Sequence, residues 1–223
     1  MTPEDHADVG LRERKKRETR VALSQATIRL CIERGWDNVT VDDIADAANV
    51  SVRTFRNYFS SKAEAIAASH LERMSRVAEE LRARPADESL WEAIVQALLP
   101  QFAPGGATAA GPAEESPRDR RWREGLRLML AEPALHGEIV KANAAAQAGL
   151  AEAIAERTGT DAARDVYPKL VAAVVSAGSA TAVEHCLAAE SPMPVGPVLI
   201  EVFDLLAAGL PVPAFRPTRG EGS

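Results

Sequence analysis

The sequence predicts an all-α protein, on three observations. Alanine is very frequent while aromatic residues make up only 4% of the chain, a skew that favours helix because Ala loses no side-chain entropy on entering one. Apolar residues recur at spacings of three and four along most of the chain, the period of one helix face. No alternating pattern of useful length and no internal repeat interrupts them. With 223 residues, 46% of them apolar, the chain has material for a packed core in one large or two smaller domains.

Residues 18–34 read as the first helix, with Leu23, Ala26, Thr27, Leu30 and Arg34 at helical spacing and Gly35 as its stop. Trp36 follows, with Asp37-Asn38 as a turn. Thr40 is the expected N-cap of a second helix from Val41 to about Ala48, since Asp42 and Asp43 in its first turn suit the helix dipole. Asn49, which tolerates a left-handed backbone, ends it. Ser51 caps a third short helix, Val52 to Phe59. Ser61 and Glu64 read as a capping box for a fourth helix running to Arg84 before Pro85. Further helical patterns cover 89–100, 118–130, 133–157, 161–189 and 195–209, and the Gly/Pro/Ala-rich stretch 103–117 reads as a loop.

Charge and special residues narrow the function. The net charge is −6, but it is unevenly spread. Residues 1–62 carry eleven basic and ten acidic residues, against a net of −7 for the remainder. Six basic residues fall between Arg12 and Arg20, which would orient that end toward a polyanion; a solvated tail is the plainer reading of the same run. No apolar run reaches the roughly 18–20 residues of a membrane span, and Met1 to Gly10 is too acidic for a secretory signal. A soluble intracellular protein is expected. Cys31 and Cys186, without a CxxC pair or Cys/His cluster, read as buried thiols, and no metal or cofactor is expected. The absence of GxSxG, P-loop and HExxH patterns argues against an enzyme.

Three short helices with a four-residue turn between the second and third describe a helix-turn-helix. Phe55 and Phe59 are four apart and should point into a small core with Ile44 and Leu30. Arg53, Arg56 and Asn57, at i, i+3 and i+4, share another face. Arg can fork onto guanine O6 and N7 and Asn onto adenine N6 and N7, so that face suits a DNA major groove. Thr54 and Tyr58 flank it with hydroxyls that could meet phosphates. Lys62 and Thr40 stand at helix starts, where open N–H groups attract a phosphate.

The stretches Val39-Thr40-Val41-Asp42-Asp43-Ile44-Ala45 and Val50 through Lys62, with Gly35-Trp36 before them, resemble the signature of the tetracycline-repressor (TetR) family over about 50 residues. The resemblance implies a helical two-domain subunit, dimerisation through the last two helices and release from DNA on ligand binding. It implies phosphate contacts at Thr40, Tyr58 and Lys62 and base reading by Arg53, Arg56 and Asn57. Two departures stand out: many members carry an aromatic where Arg56 stands, and Cys31 occupies a position where Phe is frequent, which predicts a thinner core beneath the reader.

The expected organisation is a flexible basic arm at 1–17, a DNA-binding domain at 18–65, a ligand-binding and dimerisation domain at 66–210, and a disordered tail at 211–223. In the second domain, small residues from Ala172 to Ala180 and the apolar Val198, Leu199, Val202, Leu205 and Leu206 suit either a four-helix dimer interface or intrachain packing. Trp91, Phe102, Trp122, Leu126 and Met129 are the candidate pocket lining for a largely apolar effector, with core packing the plainer reading of each. His136 and His185 could add polar contacts. Arg118, Arg120, Arg121, Arg123 and Arg127 form a basic patch that suits either an anionic ligand such as an acyl-CoA or plain solvation. The expected partners are double-stranded DNA, a second copy of the chain and a small molecule, in a bacterial cytoplasm at the nucleoid; the alternative is a DNA-binding regulator or activator with no ligand.

Overall fold

In the computed structural model, residues 3–102, 117–189 and 193–211 are described, apart from the side chains of 3–11, 13, 117–119 and 122. The expected loop at 103–117 therefore lies outside the described residues except for Pro117, and the expected tail except for Pro211. The described residues form nine α-helices and no strand: α1 Pro3–Arg34, α2 Val41–Ala47, α3 Val52–Tyr58, α4 Lys62–Ala83, α5 Leu90–Phe102, α6 Pro117–Leu130, α7 Pro133–Thr158, α8 Val166–Ala188 and α9 Val195–Ala207. A single 3-10 turn, Trp36–Asn38, joins α1 to α2.

Most helices fall where their periodicity places them, and the exceptions have local causes. The first helix starts at Pro3 instead of 18, because Pro is tolerated in a first turn and the residues after it include no breaker but Gly10. The basic run of 12–20 thus lies on helix. In contrast, α8 starts at Val166, five residues later than expected. Pro168 would clash with the carbonyl of residue 164 in a longer helix. Asp161 instead holds a turn, its carboxylate accepting from the Ala163 and Arg164 N–H groups at 2.7 and 3.3 Å.

Two apolar cores result. The first packs Leu23, Leu30, Cys31 and Ile32 of α1 with Ile44, Phe55, Phe59 and the Ala63–Ala68 end of α4. The second packs Met74, Val77 and Leu81 of α4 with Ile94 and Leu98 of α5, Leu150 and Ile154 of α7, Val171 and Val175 of α8, and Leu199 and Phe203 of α9. Helix α4 therefore contributes to both. Core membership does not follow chain order: Met129 of α6 and Leu135 of α7 are buried in the first core.

Close backbone approaches fix two of the crossings. Gly178 of α8 leaves room for Val202 and Leu206 of α9, each 3.2 Å from where a Cβ would stand. At Gly125 of α6 a Cβ would fall 2.3 Å from the Ile32 carbonyl oxygen of α1. Polar fasteners close the rest. Arg157 of α7 donates to the carbonyls of Arg84 (3.3 Å), Pro85 (2.6 Å) and Glu88 (2.9 Å), which pins the α4–α5 connection. Arg82 pairs bidentately with Glu156 at 2.8 and 3.1 Å.

By length and composition alone α8 passes for a membrane-crossing helix, with a mean hydropathy of 1.5 over an 18-residue stretch. The expectation that no uninterrupted apolar run reaches roughly 18–20 residues still holds, because Lys169 and Glu184 fall within this helix. Residues Val171, Ala172, Val175, Gly178, Ser179, Ala182 and Cys186 of this helix are buried within the protein.

Replacing Gly125 with Ala should force α6 away from α1, an overpacking cost of about 1–3 kcal/mol. A lowered thermal midpoint, followed by circular dichroism, is the expected result.

Candidate DNA-reading interface

The reader is built from short elements with unusually complete capping. Thr40 accepts from the Asp43 N–H at 3.2 Å, and the Asp43 carboxylate accepts in return from the Thr40 N–H at 2.8 Å and from its hydroxyl. This reciprocal box satisfies two donors that a seven-residue helix would otherwise leave open. The Thr40 hydroxyl and N–H hold the Asp43 carboxyl below the usual carboxylate range, with Arg34 adding to the effect. At the other end of α2, Asn49 takes a φ of 54°. The Val50 N–H then reaches Ala45 O at 2.9 Å and the Asn49 N–H reaches Asp46 O at 3.0 Å, the paired bonds of a Schellman stop. That stop sets the direction in which α3 leaves α2.

Helix α3 is capped by Ser51, whose hydroxyl accepts from the Thr54 N–H at 3.1 Å. Phe55 and Phe59 are buried at 0% and 1% exposure, with ring centroids 5.8 Å apart. Arg53, Arg56 and Asn57 are all exposed. The predicted division of α3 into a buried aromatic face and an exposed Arg/Asn face is therefore present. Arg56 also lies in the last turn of α3, where a cation complements the helix dipole.

The flanking hydroxyls differ. The Thr54 hydroxyl is already hydrogen-bonded to Ser51 at 2.9 Å. Tyr58 is half-buried, its ring tilted against Phe59 at 6.5 Å.

Lys62 has a role that its position in sequence does not suggest. Its ammonium donates to the carbonyl of Trp36 and, at 3.1 Å, to that of Val39, and lies 4.4 Å from the centroid of the Trp36 ring. It thus fastens the α1–α2 connection to the start of α4. The cap of α4 also departs from the expected box. Ser61 accepts from the Glu64 N–H at 3.1 Å, but the Glu64 carboxylate reaches the N–H and hydroxyl of Ser60, both at 2.7 Å. Partial burial works against the Glu64 carboxylate, yet the Ser60 bonds outweigh it and hold its pKa below the usual range. Cys31 is buried beneath the reader and burial pushes its thiol up. The exposed Arg20 sets its guanidinium 5.0 Å from the Phe59 ring centroid.

The candidate effector residues are not brought together. Trp91 and Phe102 pack against the second core, and Trp91 lies 6.3 Å from the Phe203 ring. Leu126 and Met129 pack in the first core. The side chain of Trp122 lies outside the described residues. His136 and His185 are exposed. In the basic patch of α6, Arg123 donates to Ala189 O at 2.8 Å and Arg127 pairs with Glu124 at 3.0 and 2.8 Å; the side chain of Arg118 lies outside the described residues.

A helix-turn-helix with an exposed Arg/Asn face, mounted on a larger helical body, defines the class: a DNA-binding transcriptional regulator. Two family models match the chain. Residues 23–68 match the bacterial regulatory proteins of the tetR family, and residues 88–211 match the MftR C-terminal domain. The chain is 31% identical to the HTH-type transcriptional regulator TcmR of Streptomyces glaucescens, over 75% of this chain and 73% of that one. It is 29% identical to MftR of Mycobacterium tuberculosis, a mycofactocin biosynthesis transcriptional regulator by name, over 88% of this chain and 93% of that one. The fold resembles that of the fatty acid degradation regulator FadR from Bacillus halodurans, with a TM-score of 0.52 at 17% identity, covering 86% of this chain and 96% of that one. The protein belongs to the TetR family of transcriptional regulators, and the members it matches are regulators, not enzymes.

Lys62→Met keeps the stem of the side chain but leaves two carbonyls without their cation. A loss of about 1–3 kcal/mol of stability is expected, read from chemical denaturation midpoints in the absence of DNA.

Proposed function

We propose that the protein is a homodimeric repressor that reads a palindromic operator with α3 and leaves it when a small molecule binds the helical body. One observation carries the DNA half: Arg53, Arg56 and Asn57 are exposed on α3 directly opposite the buried Phe55 and Phe59. Arg53 and Arg56 are the candidate guanine readers and Asn57 the adenine reader. Thr40, Thr54, Tyr58 and Lys62 border this face as phosphate contacts. For Thr54 and Lys62 the intramolecular bonds preorganise the contact, since each retains further donor or acceptor capacity.

The dimer reading rests on α8 and α9. Val166 at 75% exposure, Leu170 at 56%, Tyr167, Ile200 and Leu205 form an apolar outer face on these helices in the single chain. Exposed apolar residues concentrated on two adjacent helices suit a self-complementary two-fold interface. In that arrangement two α3 helices would enter successive major grooves, about 34–36 Å apart. The exposed face of α8 is then a protein-facing surface.

The effector reading rests on the sensor-side aromatics, Trp91 and Phe102, which border the second core. Leu126 and Met129, which pack under the reader, would transmit a change in α6 to it. An apolar molecule that favours a shifted α4 or α6 would alter the spacing of the two readers, provided it binds the released arrangement more tightly. A regulator without an effector would show no such response.

Selection of genomic fragments by the purified protein should recover a palindrome. On that DNA at fixed salt, Arg53→Ala should weaken binding by about 1–3 kcal/mol and relax one base position; unchanged affinity in fluorescence anisotropy would remove α3 from the groove. Leu170→Glu should shift the species seen by sedimentation from dimer toward monomer; an unaltered dimer would place the interface elsewhere.

A further inference from the structure

A cavity of about 280 Å³ lies between α1, α4 and the end of α5. Four guanidinium groups line it, those of Arg17, Arg20, Arg73 and Arg76, against one carboxylate, that of Glu72. Such a concentration of like charge around one partly open space is unfavourable unless something neutralises it.

The carboxylate present is already committed. Glu72 pairs with Arg17 and, at 3.5 Å, with Arg76. Arg20 faces the Phe59 ring. Arg73 is the least exposed of the four. Its guanidinium lies 5.3 Å from the Phe102 ring centroid, and Nη2 donates to His70 Nδ1 at 3.1 Å. His70 in turn bonds Asn143 Oδ1 through Nε2 at 2.6 Å; a ring that donates from Nε2 and accepts from Arg73 at Nδ1 is the neutral imidazole. Burial lowers the pKa of both Arg73 and His70. The Arg73 Nε atom is buried with no hydrogen-bond partner among the described residues. An unpaired, buried guanidinium nitrogen on an arginine that lines a space of formal charge +3 is a donor that an oxyanion settling beside it would satisfy.

We infer that this cavity binds a small organic anion, held through a carboxylate or phosphate group by Arg73 and completed by Arg20 and Arg76. A planar guanidinium presents donors in a fork that matches two oxygens of such a group. The volume admits a compact ligand and falls just below the range of drug-sized pockets. Because Arg17 and Arg20 are on α1 while Arg73 and Arg76 are on α4, a bound anion would tie the first helix of the reader to the helix shared with the body. This site adjoins the proposed apolar effector site, since Arg73 faces Phe102, but its argument does not rest on that reading.

Isothermal titration of the full chain with inorganic phosphate and, separately, with citrate tests the inference, with ionic strength held constant by sodium chloride. Saturable one-to-one binding is expected, and the tighter probe distinguishes a phosphate-bearing ligand from a polycarboxylate. Arg73→Gln, Arg20→Gln and Arg76→Gln should each raise the dissociation constant by about tenfold. Arg20 and Arg76 are exposed enough at their stems for their variants to fold, which circular dichroism checks. Arg29→Gln, on an exposed part of α1 where Arg29 pairs with Glu33, should leave binding unchanged. Absence of saturable heat with both probes would overturn the inference. So would equal weakening by Arg29→Gln and Arg76→Gln, which would reduce the effect to overall charge.

Discussion

The architecture depends on α4 being one continuous helix shared by two cores. Its first turns bury Ala63, Ala65, Ile66, Ala67 and Ala68, and its later turns bury Met74, Val77, Ala78 and Leu81. At 1.5 Å per residue, its 22 residues form a rod of about 33 Å. Neither core can shift relative to this rod without opening apolar contacts. The reader core and the body core are therefore packed on one and the same helix.

The reader meets this constraint with polar fasteners at its edges. Lys62 ties the start of α4 to the carbonyls of Trp36 and Val39, and the Thr40–Asp43 box holds the entry to α2. Helix α6 supplies a second link between the two parts. Gly125 lets it approach the α1 backbone, Met129 enters the reader core, and Arg123 reaches the end of α8. The polar cluster of Arg73, His70 and Asn143 spans α4 and α7 midway between the two cores. Within it, Arg73 Nε has no hydrogen-bond partner among the described residues.

Much of the reader was legible because its signals are local. A cap such as Ser51 acts within three residues, and the Phe55/Phe59 and Arg53/Arg56/Asn57 faces follow from helical spacing alone. Asn49 marked a left-handed stop by its own chemistry. The start of α8 was legible in principle, through Pro168, but small-residue periodicity on both sides of it obscured the break. The effector residues were not legible. Large apolar side chains such as Trp91 and Met129 look alike in sequence, and only packing assigns them to different cores.

By itself, the sequence determined the all-helical class, the helix-turn-helix and the chemistry its third helix presents, because propensity, capping and periodicity operate over a few residues. The tertiary structure decided which helix faces meet. It divided the apolar side chains between two cores around α4, turned Lys62 back onto carbonyls 23 and 26 residues away, and gathered arginines from α1 and α4 around one cavity. Those outcomes depend on contacts between segments far apart in the chain, for which local sequence carries no signal.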